Sequence, residues 1–187
     1  MNISSSDIDL FYKLHSALLQ YVNQRLSIFP NIKTAKELKN SGLENVSRVW
    51  MELWKKPRFI ADFVSENPAN LSKDELAIVA DWKYFLKGKF YIFRHLKKYS
   101  IFLTDTHSAK AYGVCSLMTP LDEMFWSENL PIYTEAILLP FRGRIIYDGI
   151  LHPYSIIFGP GIRFSLKEAY RDTKSKFGVI TTLGDIN

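Results

Sequence analysis

The sequence predicts an α+β protein, a helical N-terminal half followed by a small antiparallel, SH3-like barrel with a C-terminal helix. Three observations lead there. Apolar residues recur at helical spacing up to about Gly88; after it, aromatic and branched residues gather in short runs; and tight turns, not helices long enough for parallel crossovers, separate those runs. The expected division is a helical region over 1–88 and a barrel-like region with its closing helix over 89–187.

Taken in order, Ile8, Phe11, Leu14, Leu18, Val22 and Leu26 share one helical face behind a Ser-rich cap, which gives a helix over about 7–27. The stretch "FPNI" breaks it, and a short helix follows over 34–39, stopped near Gly42. Val49, Trp50, Leu53 and Trp54 mark a third helix over 46–55 that Pro57 ends, with one or two further turns over 58–65. Ser72 and Glu75 fit a capping box, and Gly88 reads as the stop of the helix they begin. "KFYIFRHL" and "YSIFLTD" then read as a strand pair around Lys97 and Lys98, and "KAYGVCSLM" as a third strand. "YTEAILLPF" and "RIIYDGIL" flank Arg142-Gly143 as a hairpin. Asp148-Gly149 reads as a turn, "YSIIF" as another strand, 162–177 as a helix and "GVITT" as a last strand.

Composition narrows the classes. At 47% hydrophobic and 14% aromatic, the chain has enough apolar surface to fold, which excludes wholesale disorder. Every apolar run is interrupted by charge well short of the roughly 20 residues of a membrane span, and the first residues lack the pattern of a signal peptide, so no membrane partner and a cytoplasmic location are expected. The lone Cys115 agrees, since it cannot form an internal disulfide. No cofactor and no metal site are expected: four scattered histidines and one thiol do not supply a ligand set.

A net charge of +5 and a pI near 9.2 favour anionic partners. Between Trp82 and Thr104 there are six basic residues and no acidic one. Lys89, Arg94, Lys97 and Lys98 could track phosphates there while Tyr91, Phe93 or Tyr99 stacks on bases. The C-terminal helix adds Arg163, Lys167 and Arg171, with Lys174 and Lys176 behind them and Glu168 and Asp172 diluting the charge. Lys167 and Arg171 are four apart and share a face. The bland account is that the aromatics fill a barrel whose edges the lysines keep soluble.

Competing chemistry is thinner. Asp148 and His152, joined by Glu135 across the hairpin, could form an acid–base site of a small hydrolase. Cys115 with His107 could form a nucleophile pair, although a lone Cys between apolar residues more often packs. Gly159-Pro160-Gly161 before a helix could cradle an anion, but it lacks the order of the phosphate-binding loops.

"AILLPFRGRIIYDGILHPYSIIFGPGI" and "AYGVCSLMTPL" together resemble segments of an uncharacterised family of bacterial cytoplasmic proteins from low-GC Gram-positive hosts and their mobile elements. The resemblance covers about the C-terminal half and carries no activity with it. The expected function is therefore a non-enzymatic binding or regulatory protein that presents a basic-aromatic surface to a nucleic acid or an acidic protein. A small hydrolase using Asp148, His152 and Glu135, and a structural protein that self-associates as a homodimer, are the alternatives.

Overall fold

A computed structural model describes residues 3–106 and 108–184. The chain divides into two compact units, Ser5–Lys83 and a second that takes up the chain from Tyr84. The first is helical: α1 (Ser5–Leu26), α2 (Ala35–Asn40), α3 (Leu43–Lys55), α4 (Arg58–Glu66) and α5 (Lys73–Asp81), with a 3-10 turn at Trp82–Tyr84.

Local signals begin α2 and α5 where the sequence places them, while α1 and α3 begin at Ser5 and Leu43, two and three residues ahead of the expected starts. Thr34 caps α2, its hydroxyl accepting from the Glu37 N–H at 3.1 Å. Ser72 and Glu75 form a reciprocal capping box at the start of α5. Phe11, Leu14, Leu18 and Val22 of α1 are fully buried, and Tyr21 meets the rings of Phe59 and Phe63 edge-on. Trp50, Trp54, Phe59 and Phe63 are all buried, so this aromatic stretch is core and not an exposed surface.

Gly88 does not end a helix. α5 stops at Asp81, and β1 (Leu86–His95) already contains Gly88. Lys87 and Lys89 face outward while Leu86, Phe90 and Ile92 pack inward, a period-two pattern that overrides the local stop signal. The unit boundary consequently falls near Tyr84 instead of residue 88.

After β1 come β2 (Ser100–Thr104), β3 (Ala111–Cys115), a short helix α6 (Leu121–Met124), β4 (Ile132–Phe141), β5 (Arg144–Pro153) and α7 (Pro160–Phe177). The five strands close in the order β1-β2-β3-β5-β4, with β4 returning to β1. Four pairings are antiparallel, but β3 and β5 run parallel through Val114 with Ile145 and Cys115 with Ile146. That pair departs from the wholly antiparallel sheet expected. Phe90, Ile92, Phe102, Tyr112, Val114, Leu138, Ile145 and Tyr147 fill the interior together with Leu121 of α6.

The β4–β5 hairpin turns at Arg142-Gly143, both with positive φ as a two-residue hairpin loop requires. Asp148-Gly149, by contrast, is not a turn. It lies inside β5, opposite a register shift between Ala136 and Leu138, and Gly149 takes φ 96°. The pair forms a bulge, and the Asp148 carboxylate fixes it by accepting from the Ile150 N–H at 3.3 Å.

"YSIIF" is not a strand either. The Tyr154 N–H donates to the Tyr133 carbonyl at 2.8 Å and its ring lies tilted against that of Tyr133 (5.1 Å between ring centres), while Phe158 lies edge-on to Tyr91 (5.5 Å), so one backbone bond and ring packing hold the segment without a full ladder. "GVITT" contributes one parallel bridge, Ile180 to Tyr112, and no strand.

Candidate functional site

Strand β1 carries a register shift against β2: Ile92 pairs with Phe102 and Arg94 with Ile101, leaving Phe93 as the extra residue. A bulge of this kind turns two consecutive side chains toward the same face. Phe93 and Arg94, a ring and a cation, thereby both face outward, where simple alternation would send one inward.

Helix α7 lies over that outer face. Tyr170 and Leu166 pack with Phe93, Tyr99, Ile101, Leu103 and Ala111 in a second apolar cluster outside the barrel. The Thr173 hydroxyl donates to the Ala109 carbonyl at 2.7 Å, which fixes the helix along its axis. Between β1 and α7 opens a groove of about 520 Å³, lined by Phe93, Arg94, Lys167, Glu168, Tyr170, Arg171, Lys174 and Ser175.

Its floor is aromatic, with the rings of Phe93 and Tyr170 5.2 Å apart. Its walls carry four cations against one carboxylate. Lys167, Arg171 and Lys174 stand at i, i+4 and i+7, spread along about 10 Å of helix, and Arg94 belongs to the opposite wall. Lys174 also approaches the Tyr170 ring at 5.9 Å. Arg171 pairs with Glu168 and, at 3.8 Å, with Asp172; these are exposed ion pairs of the kind worth little in water, so they exchange readily for another anion. The groove can attract an anion, and it offers a ring to anything flat attached to that anion.

Of the residues singled out from sequence, Phe93, Arg94, Lys167, Arg171 and Lys174 meet here. The others go elsewhere. Tyr91 is sandwiched between Tyr133 (4.8 Å) and Phe158, and Lys89 sits 5.4 Å from the Tyr154 ring at the far end of the same aromatic row. In this row Tyr133 donates its hydroxyl proton to Asp105, and that bond, with burial, holds the Tyr133 phenol far above its ordinary range. Tyr99 lies over Gly113, where an added Cβ would stand 2.9 Å from the ring; its stacking surface is spent on the sheet. The Arg163 guanidinium donates to the carbonyls of Phe158 (2.9 Å) and Leu130, so it ties the segment before α7 to the loop before β4. Lys97 and Lys98 stand at the β1–β2 turn, at the end of the barrel near Cys115 and Asp122.

Tyr170 and Ser175 are the groove residues that sequence reading passed over, and Tyr170 is the one that supplies a ring. Its position three residues after Lys167 and four before Lys174 was the available signal.

The alternative candidates Glu135, Asp148, His152 and Cys115 do not line this groove. Glu135 and His152 are cross-strand partners, and Glu135 lies 3.8 Å from Lys87. Asp148 is buried in the β5 bulge, and His152 is exposed near the end of the same strand. Burial raises the Cys115 thiol above its ordinary range, and its S–H points to the Lys98 carbonyl, which suits packing and not nucleophilic attack. His107 lies outside the described residues. His95 acts as a clamp: its Nε2–H donates to the Phe125 carbonyl and, in the neutral ring, Nδ1 accepts from the Ser100 hydroxyl, both at 2.7 Å. Gly159 precedes the first turn of α7 and its carbonyl accepts from the Arg163 N–H at 3.2 Å. Among the described residues no three His, Cys, Asp or Glu side chains gather as a metal site, and no helix is long and apolar enough to cross a membrane. For self-association, the exposed apolar residues of this unit include Ile157 and Phe164, on the segment before α7 and in its first turns.

No protein family, curated protein or solved structure matches the chain.

Proposed function

We propose that this is a non-enzymatic nucleic-acid-binding protein that holds phosphates in the groove between β1 and α7. The observation that carries the reading is the convergence of Arg94, Lys167, Arg171 and Lys174 around the rings of Phe93 and Tyr170, from segments some 70 residues apart. Solubility would be served by lysines spread over the surface; four cations on two sides of one aromatic floor serve a ligand.

The connectivity supports the same reading. A five-stranded barrel in which β1 lies between β2 and β4, and β3 runs parallel to β5, has the strand order of oligonucleotide-binding barrels; the SH3-like form is the expectation from five or six short strands with tight turns. In such barrels the face of the second and third strands holds the ligand. Here α7 covers that face, and the groove along the helix edge takes its place.

The test is a salt titration of the protein against labelled oligonucleotides. With three to four phosphate contacts, the logarithm of the binding constant should fall against the logarithm of salt with a slope of about −2 to −4. Absence of binding at low salt would overturn the proposal and direct the search to an acidic protein partner.

A further inference from the structure

The carboxylate of Glu168 is out of place in a groove that attracts phosphates. It lines the same groove as Lys167, Arg171 and Lys174 on α7 and Arg94 on β1, where it repels the ligand that the cations draw in. A residue with that cost to phosphate binding calls for a compensating contact.

Building on the nucleic-acid reading of the groove, we infer that Glu168 reads the edge of one unpaired base, and that the base it selects is guanine. The geometry restricts the ligand first. A groove of about 520 Å³ has the volume of a small-molecule pocket, enough for one nucleotide. In a duplex the base faces are stacked and the Watson–Crick edges are paired; only a single strand can lay a base on Phe93 and turn its edge to a side chain. Phe93 is half-buried, and the bulge holds it facing the groove.

The chemistry of the edge then chooses the base. A carboxylate only accepts hydrogen bonds, through two oxygens side by side. Guanine alone presents two adjacent donors on its Watson–Crick edge, the ring N1–H and the 2-amino group, and they match the two oxygens. Adenine and cytosine offer an amino donor next to an acceptor nitrogen, and thymine flanks its one donor with two carbonyls, so each sets an acceptor against a carboxylate oxygen. When the guanine edge takes the carboxylate, Arg171 exchanges its exposed pair with Glu168 for a phosphate, beside Lys167 and Lys174. Guanine therefore recovers the cost of the carboxylate, and other bases do not.

The experiment uses the full-length protein and fluorescently labelled heptathymidylates that carry one central guanine, adenine or inosine, with a guanine-bearing duplex of the same length for comparison. Inosine differs from guanine only by the missing 2-amino group. The wild-type chain should bind the guanine strand about tenfold more tightly than the inosine or adenine strand, and more tightly than the duplex. Glu168→Gln, an exposed helical change, should bring the three single strands within about twofold of one another while tightening the weaker two, because a repelling charge is removed. Equal binding of guanine and inosine strands by the wild type would overturn the base-reading role and leave the groove's phosphate contacts standing. A guanine preference that survives Glu168→Gln would overturn it too, by placing the reader elsewhere. Failure of every strand to bind would overturn the nucleic-acid reading itself, and this inference with it.

Discussion

In the helical unit eleven basic residues are matched by ten acidic ones, whereas the unit that begins near Tyr84 holds thirteen against nine. The arrangement differs as much as the total. Helical charges are spent on pairs between elements, such as Lys13 with Glu75 and Arg25 with Glu66, or within one helix, as Lys55 with Glu52. In the barrel unit the excess is gathered, with four cations lining one groove. The first unit uses its polar residues to finish a fold; the second gathers cations along one groove, which the proposed function assigns to a ligand.

The two units should also fail in different ways. In the barrel unit the sensitive point is steric. Gly113→Ala would drive a methyl group into the Tyr99 ring at 2.9 Å and disturb the sheet beneath α7. A loss of about 1–3 kcal/mol in denaturant unfolding is expected. An unchanged midpoint would mean that the Tyr99–Gly113 contact is loose, and with it the support of the groove.

In the helical unit the sensitive point is electrostatic. His15 is buried, stacked on Phe11 at 5.2 Å and edge-on to Trp82, and burial lowers its pKa to about 4. The unfolded chain, with a histidine pKa near 6.5, then binds a proton that the folded chain refuses, so stability falls as pH drops from about 6.5 toward 4. The loss between pH 7 and pH 5 should be about 2 kcal/mol, and His15→Phe should remove this pH dependence. A His15→Phe variant with the wild-type pH profile would assign the acid sensitivity to another group.

The same contrast explains what could be read from the sequence. Helix starts depend on residues three or four apart, so Thr34, Ser72 and Glu75 announced their helices. Strand grammar depends on partners far away in sequence. Asp148-Gly149 looks like a turn until β4 is found opposite it, and "YSIIF" looks like a strand until Tyr133 and Tyr91 claim its rings. Gly88 looked like a helix stop because the alternation that places it in β1 becomes evident only with Phe90 and Ile92 packed inside. For the candidate site, the basic residues were legible as composition, and Lys167 with Arg171 as a shared helix face. The meeting of Arg94 with that face was not, because it depends on a bulge at Phe93 and on where α7 comes to rest.

The most direct test of the groove compares charge reversal in the two units. Lys167→Glu with Lys174→Glu changes the net charge as much as Lys36→Glu with Lys39→Glu on exposed α2 positions, and both double variants should keep their stability within about 0.5 kcal/mol. Measured against one labelled oligonucleotide at about 50 mM salt, the groove variant should bind at least about tenfold more weakly than the wild type, and the α2 variant should stay within about threefold. Equal losses would contradict the account, because they would show that total charge, and not the groove between β1 and α7, governs binding.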